Sequence, residues 1–169
     1  MTGAPLPFDP IAEARRQWAE HGWEQAADGM AVVTSVIRVQ QLFMARVDAV
    51  LRPVGLTFAR YELLMVLVFS RRGSLPLSKL GVRLQVHPTS VTNAVDRLEW
   101  QGLLARLPHP KDGRTTLAEI TEAGREVALR ATGLLNEAVF SDTGLRAGDT
   151  GELLRVLTGL RRRAGDFTG

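Results

Sequence analysis

Thr89, Ser90, Asn93 and Arg97 are spaced so that, on a helix of about 3.6 residues per turn, all four fall within an arc of about 100°. Two hydroxyls, a carboxamide and a guanidinium gathered this way make a short, polar, cationic stripe. Its chemistry suits the edges of base pairs: hydroxyls donate or accept there, the threonine methyl can touch thymine, and asparagine can pair bidentately with adenine. On the other side of the same stretch, Val91, Ala94, Val95 and Leu98 share a second arc of similar width and form a core-facing side. Lys79 and Arg83 precede the stripe, and Lys111 and Arg114 follow it. Both pairs would add phosphate and minor-groove contacts beside a groove that the helix enters. His87 stands at the turn before the helix, where it suits capping or a phosphate contact. The competing reading is that any amphipathic surface helix shows a polar face.

Catalytic chemistry has no comparable set of residues. His21, His87 and His109 are scattered without the HExxH type of ligand spacing, so no metal site is expected. Neither GxGxxG, a Walker loop nor GxSxG occurs, which removes the common nucleotide-binding and serine-hydrolase signatures and leaves no cofactor to expect. The absence of cysteine excludes disulfides, thiolate zinc, iron–sulfur clusters and a cysteine nucleophile. A non-enzymatic protein is expected.

The formal charge of +3 over 169 residues conceals an uneven distribution. Residues 1–70 carry six Arg against seven acids, and residues 115–169 carry seven Arg against eight, so each end is net −1. Residues 71–114 carry eight Lys and Arg against Asp96, Glu99 and Asp112, a net +5 centred on the stripe. A polyanion contacting this segment is one reading, since neutralising phosphates supplies most non-specific nucleic-acid affinity. A solvated basic face is the other. With 45% hydrophobic and 23% charged residues the composition is that of a soluble globular protein. The longest unbroken apolar run, Leu63 to Phe69, is seven residues against the roughly 20 that cross a bilayer. Met1 to Asp9 has neither a basic start nor an apolar stretch of leader type. A cytoplasmic protein without a membrane partner is expected.

The elements that must position the stripe are punctuated clearly. Asp9 caps a first helix with Pro10 at its start, Glu13 in its first turn and Gly22 at its end. A longer helix is predicted from about Glu24 to Leu51, with Met30, Val33, Ile37, Phe43, Val47 and Leu51 as its apolar stripe, stopping before Pro53 and Gly55. Such length in so short a chain suggests either packing against a partner chain or a single long core helix. Thr57 caps a third helix that Gly73 closes, and Leu75 to Leu77 is brief enough for an edge strand. Ser78 is expected to cap a two-turn helix, Gln85 to His87 to turn, and Pro88 to open the helix that carries the stripe, ending before Gly102. Leu103 to Leu107 and Thr115 to Ile120 read as strands joined by a long basic tip, Pro108 to Gly113. Thr121 caps a helix to about Phe140, and a last helix runs from about Asp149 to Arg163. The fold class expected is mainly α with a small β-hairpin wing: a winged helix-turn-helix joined to a helical lobe.

From about Leu56 to Arg125 the chain resembles the MarR-type transcriptional regulators. The resemblance rests on Leu56-Thr57, Leu77-Ser78-Lys79-Leu80, Thr89-Ser90-Val91-Thr92, Val95-Asp96-Arg97-Leu98-Glu99, Gly102-Leu103, Asp112-Gly113-Arg114 and Thr121-Glu122-Ala123-Gly124-Arg125, in that order. It implies that Asp112 braces Arg114 and that Arg114 enters the minor groove. The chain departs from the family's pattern at Gly113, where a second Arg is usual, at Gln85, where a Gly commonly turns the chain, and at Pro88, where a basic residue is frequent. It further implies a homodimer on a pseudo-palindromic site in double-stranded DNA, most simply a repressor, with a small-molecule pocket between the lobes. The division expected is an amino-terminal helix and a long dimerisation helix in 1–55, the DNA-binding lobe in 56–121, and helices completing the dimerisation lobe in 122–169. The extra first helix is similar to a subgroup that answers to urate-like purines, which makes Trp18, Glu62 and Arg106 candidate contacts for a phenolic or purine-like effector. Ala94 replaces one Arg of that subgroup, and Trp18 fits simple packing as well. The alternative function is a winged-helix interaction or dimerisation module that does not read DNA.

Overall fold

The computed structural model describes residues 5–168. Residues 1–4 and 169, which belong to the first and last expected segments and to the stretch read as lacking a leader, lie outside the described residues.

Helix α1 (Pro10–Glu20) begins where the Asp9 carboxylate accepts the Ile11 N–H at 2.9 Å. Helix α2 (Glu24–Leu51) follows, with α1 laid against its start: Trp18 meets Trp23 edge-on at 5.3 Å, and Arg15 pairs with Asp28 at 2.5 Å. Of the apolar stripe predicted on α2, the carboxy-terminal end, Val47 and Leu51, is buried, whereas Val33 and Ile37 are 58% and 52% exposed. The helix therefore enters the core at one end and leaves its middle bare. Taken with the 3-10 turn Arg52–Val54, it is long and apolar enough by length and composition to cross a membrane. The seven-residue run missed this because the apolar residues are spaced rather than contiguous. The Arg46 guanidinium pins the buried end by donating to the main-chain oxygens of Ala138 and Asp142 at 3.0 and 2.6 Å.

Helix α3 (Phe58–Val68) is capped by Thr57 and buries Tyr61, Leu63, Leu64 and Leu67 at the centre of the core. Strand β1 (Ser74–Pro76) leads into α4 (Leu77–Leu84), a turn, and α5 (Pro88–Trp100). Helix α4 starts two residues earlier than the sequence suggests: Pro76 stands at its cap without a side-chain bond, so Ser78 is not the capping residue. Strands β2 (Leu104–His109) and β3 (Asp112–Ile120) form the hairpin, and β1 pairs antiparallel on the outer side of β3 to give the order β1-β3-β2. The long tip expected over Pro108 to Gly113 is instead a two-residue turn, Pro110-Lys111, because His109 pairs with Asp112 after an irregularity at Pro108.

Helix α6 (Glu122–Leu135), capped by the Thr121 hydroxyl on the Gly124 N–H, continues as a π-helical turn, Asn136–Phe140. Its Ala128, Ala131 and Leu135 join Val47 and Leu51 of α2 and the winged elements in one continuous core. Close approach is achieved at Gly124. A β-carbon there would lie 1.9 Å from the Leu103 main-chain oxygen, which already accepts the Thr121 N–H at 3.2 Å. Helix α7 (Asp149–Arg163) buries none of its residues within the chain.

Candidate nucleic-acid interface

The helix α5 periodicity holds in three dimensions. Val91, Val95 and Leu98 are buried and Ala94 is half-buried, while Thr89, Ser90, Asn93 and Arg97 are all exposed on the other side. His87 caps the helix: its Nδ1 accepts the Thr89 N–H at 3.3 Å and lies 3.1 Å from the Thr89 hydroxyl, so that edge of the ring is committed to the helix start. Pro88 takes the first helical position, where its missing N–H is of no consequence. Lys79 and Arg83 are exposed on α4, the first helix of the pair.

At the wing, Asp112 organises the turn. Its Oδ1 accepts the Arg114 N–H at 3.1 Å and its Oδ2 the Thr115 hydroxyl at 2.7 Å. The Thr115 hydroxyl first, and the Arg114 amide second, hold the Asp112 carboxyl below its ordinary value. The brace that the resemblance implies thus runs to the Arg114 backbone, and the side chains of Lys111 and Arg114 are exposed at the tip.

Two contributors were not legible in the sequence. Arg60, near the start of α3, donates to the Thr57 hydroxyl at 3.2 Å and to the Gln101 carboxamide oxygen at 3.1 Å. Burial, and then the neighbouring Arg97 charge, hold its pKa below the usual guanidinium value. Arg97 itself lies over the Trp100 ring, 5.3 Å from its centroid. A second cation thus stands beside the polar stripe, contributed by a helix whose own periodicity marks it as core. The other contributor is a bracket. Arg106 on β2 pairs with both Asp96 and Glu99 of α5, and its N–H donates to Glu99 Oε1 at 3.1 Å. Burial pulls the Arg106 pKa down, but the bonds to Asp96 and Glu99 outweigh it and the net shift is upward. The wing and the stripe-bearing helix are therefore joined by charge-assisted bonds. Replacing Arg106 by Gln is expected to speed amide exchange in β2 about tenfold while α3 is unaffected; equal protection in the two proteins would show that the bracket holds nothing.

The candidate effector residues are not brought together. Trp18 packs on Trp23 in the α1–α2 corner, and Arg106 is engaged by Asp96 and Glu99 on the wing side. Glu62 borders a groove of about 370 Å³ between α3, α4 and the π-helical turn, lined by Phe58, Tyr61, Met65, Val66, Phe69, Arg83, Leu84, Thr132 and Phe140. Desolvation by these neighbours raises the Glu62 pKa. The Tyr61 and Thr132 hydroxyls meet at 3.0 Å within that lining. Among the described residues no cluster of three or more His, Asp or Glu side chains is arranged to hold a metal ion.

A helix pair followed by a paired hairpin, with a polar helix face between basic flanks, defines a winged helix-turn-helix protein. A sequence profile of the MarR family matches residues 56–116. The repressor Mb2911 of Mycobacterium bovis, described as HTH-type, is 30% identical over 112 residues, covering 66% of this chain and 79% of its own. The crystal structure of Sco5413, a MarR family transcriptional regulator from Streptomyces coelicolor, is 51% identical with a TM-score of 0.76, over 84% of this chain and 99% of that one. Sco3205 from the same organism, a MarR family regulator solved in complex with DNA, is 28% identical with a TM-score of 0.66, over 78% of this chain and 86% of that one. The chain belongs to the MarR family. It spans about half the length of several other curated regulators that it matches. These named relatives are transcriptional regulators rather than enzymes.

Proposed function

We propose that this chain is a DNA-binding transcriptional regulator, a ligand-responsive repressor that acts in the cytoplasm as a homodimer on a pseudo-palindromic operator. The observation that carries the reading is the exposed stripe Thr89, Ser90, Asn93 and Arg97, set between basic Lys79 and Arg83 on α4 and basic Lys111 and Arg114 on the wing. The stripe enters the major groove and reads base edges; Arg114 reaches the adjacent minor groove, and Lys79, Arg83 and Arg60 neutralise phosphates. His87 and Asp112 act indirectly, one by starting α5 and the other by shaping the tip.

Dimerisation is supported by what the chain leaves uncovered. The middle of α2 presents Val32, Val33, Val36, Ile37 and Leu42 to solvent, and α7 presents Leu154, Val156 and Leu160. Patches of this kind call for a partner surface, and a second copy of the same helices covers α2 here in place of lipid. Residues 1–55 and 122–169 then form the dimer lobe around two reading lobes of residues 56–121.

The effector is an aromatic small molecule of the phenolic or purine-like class, held in the groove beside Tyr61 and Glu62. Arg83 borders this groove and also belongs to the basic flank, so a ligand there would compete for a DNA-facing cation and shift the population of DNA-competent dimers. The test is a genome-wide footprint with and without candidate phenols and purines. Protected sites that fade on adding one compound support the reading. An absence of protected sites, with partner proteins captured instead, would favour a winged-helix interaction module.

A further inference from the structure

Gln85, at the turn between α4 and α5, is the one non-glycine residue among those described with positive φ (φ 54°, ψ 40°). Glycine adopts this region freely, whereas a residue with a β-carbon is held there against a conformational penalty. The side chain shows what holds it. Gln85 Nε2 donates to the main-chain oxygen of Asp166 at 2.7 Å, joining positions 81 residues apart.

The acceptor is firmly placed. Helix α7 ends in a Schellman motif, in which the Gly165 N–H bonds to Arg162 O at 3.1 Å and the Asp166 N–H to Arg161 O at 3.0 Å, with Gly165 at φ 75°. Arg161 Nε then bonds the Asp166 carboxylate at 2.6 Å, and the Arg161 and Arg162 guanidinium groups lie 5.3 and 5.7 Å from the centre of the Phe167 ring. The segment after α7 is thus a shaped hook. Its α7 end buries nothing, so the hook fastens a helix of the dimer lobe to the turn that aims α5.

We propose that Gln85 and the hook Gly165–Phe167 form a strap through which α7 positions the helix-turn-helix, making Gln85 a positioning residue for DNA recognition. The inference rests on the DNA-reading function given above. In a dimer, two α5 helices must meet two half-sites at one spacing, and each strap narrows the range of orientations its reading lobe samples relative to the dimer lobe. Its effect falls on two-site binding, with every phosphate contact left in place.

The experiment uses the full chain and the duplex it selects from a randomised library. Gln85→Gly removes the donor and relieves the backbone, so the melting temperature is expected to hold or rise. Affinity for the selected duplex is expected to fall about five- to tenfold. The slope of log affinity against log salt stays unchanged, because no phosphate contact is lost. A chain ended after Gly165 is expected to fall by the same factor, and the combined variant no further, since both changes cut one strap. Wild-type affinity in Gln85→Gly, additive losses in the combined variant, or a reduced salt slope would each overturn the strap while leaving DNA binding intact. A wild-type chain that selects no duplex would overturn the DNA-reading function and the strap with it.

Discussion

Substituting alanine for Gly124 is expected to lower stability by about 3 kcal/mol or more, enough to separate α6 from the winged lobe. The expectation follows from one distance. A β-carbon at position 124 would sit 1.9 Å from the Leu103 main-chain oxygen and 2.9 Å from its carbonyl carbon. No rotamer relieves such a contact, because both partners are backbone or fixed to it. Relief requires α6 to retreat, and its Thr121 cap would have to move with it. The Thr121 hydroxyl donates to Gly102 O at 2.8 Å, and its N–H to Leu103 O at 3.2 Å, so both bonds would stretch. Gly133, on the same helix with open space around it, is the control. Its replacement by alanine is expected to be neutral or to stabilise by roughly 0.5–1 kcal/mol through helix propensity. Urea unfolding of the two variants separates the cases, and equal stability of Gly124→Ala and wild type would show that the close approach is not structural.

Arg114→Ala is expected to weaken duplex binding roughly tenfold to a hundredfold and to reduce the salt slope by about one. The fold should survive the change. Asp112 holds the tip through the Arg114 N–H and the Thr115 hydroxyl, and alanine keeps that N–H. What is lost is a cation at the end of the hairpin, where a narrow minor groove concentrates negative potential. Titrations at several salt concentrations, with the melting curve of the variant as the check on folding, measure both effects. Unchanged affinity in a folded variant would remove the wing from the recognition surface.

The starts of α1, α5, α6 and α7 are legible in the sequence because Asp9, Pro88, Thr121 and the glycines near 144–148 act locally on the backbone. The stripe on α5 was legible for a similar reason: periodicity alone separates Val91, Val95 and Leu98 from Thr89, Ser90, Asn93 and Arg97. The hairpin tip is shorter than its residues suggest: Pro108, Pro110 and Gly113 read as a loop, whereas cross-strand pairing carries the strands past Pro108 to His109 and Asp112. Ser78 was a capping residue by type, but pairing of β1 with β3 delivers the chain into α4 at Pro76. The bracket from Arg106 to Asp96 and Glu99 and the bond from Gln85 to Asp166 join residues that no local spacing relates. For Arg60, the apolar periodicity of α3 drew attention to the core and away from the one cation at its edge.

Selection from a library of randomised duplexes, using the folded wild-type protein, tests the DNA-reading face most directly. The expected product is a pseudo-palindromic motif whose half-sites are centred one helical turn, or a small multiple of it, apart at about 10–10.5 base pairs per turn. Enrichment of no sequence above the starting library, by protein shown to be folded and dimeric, would contradict it.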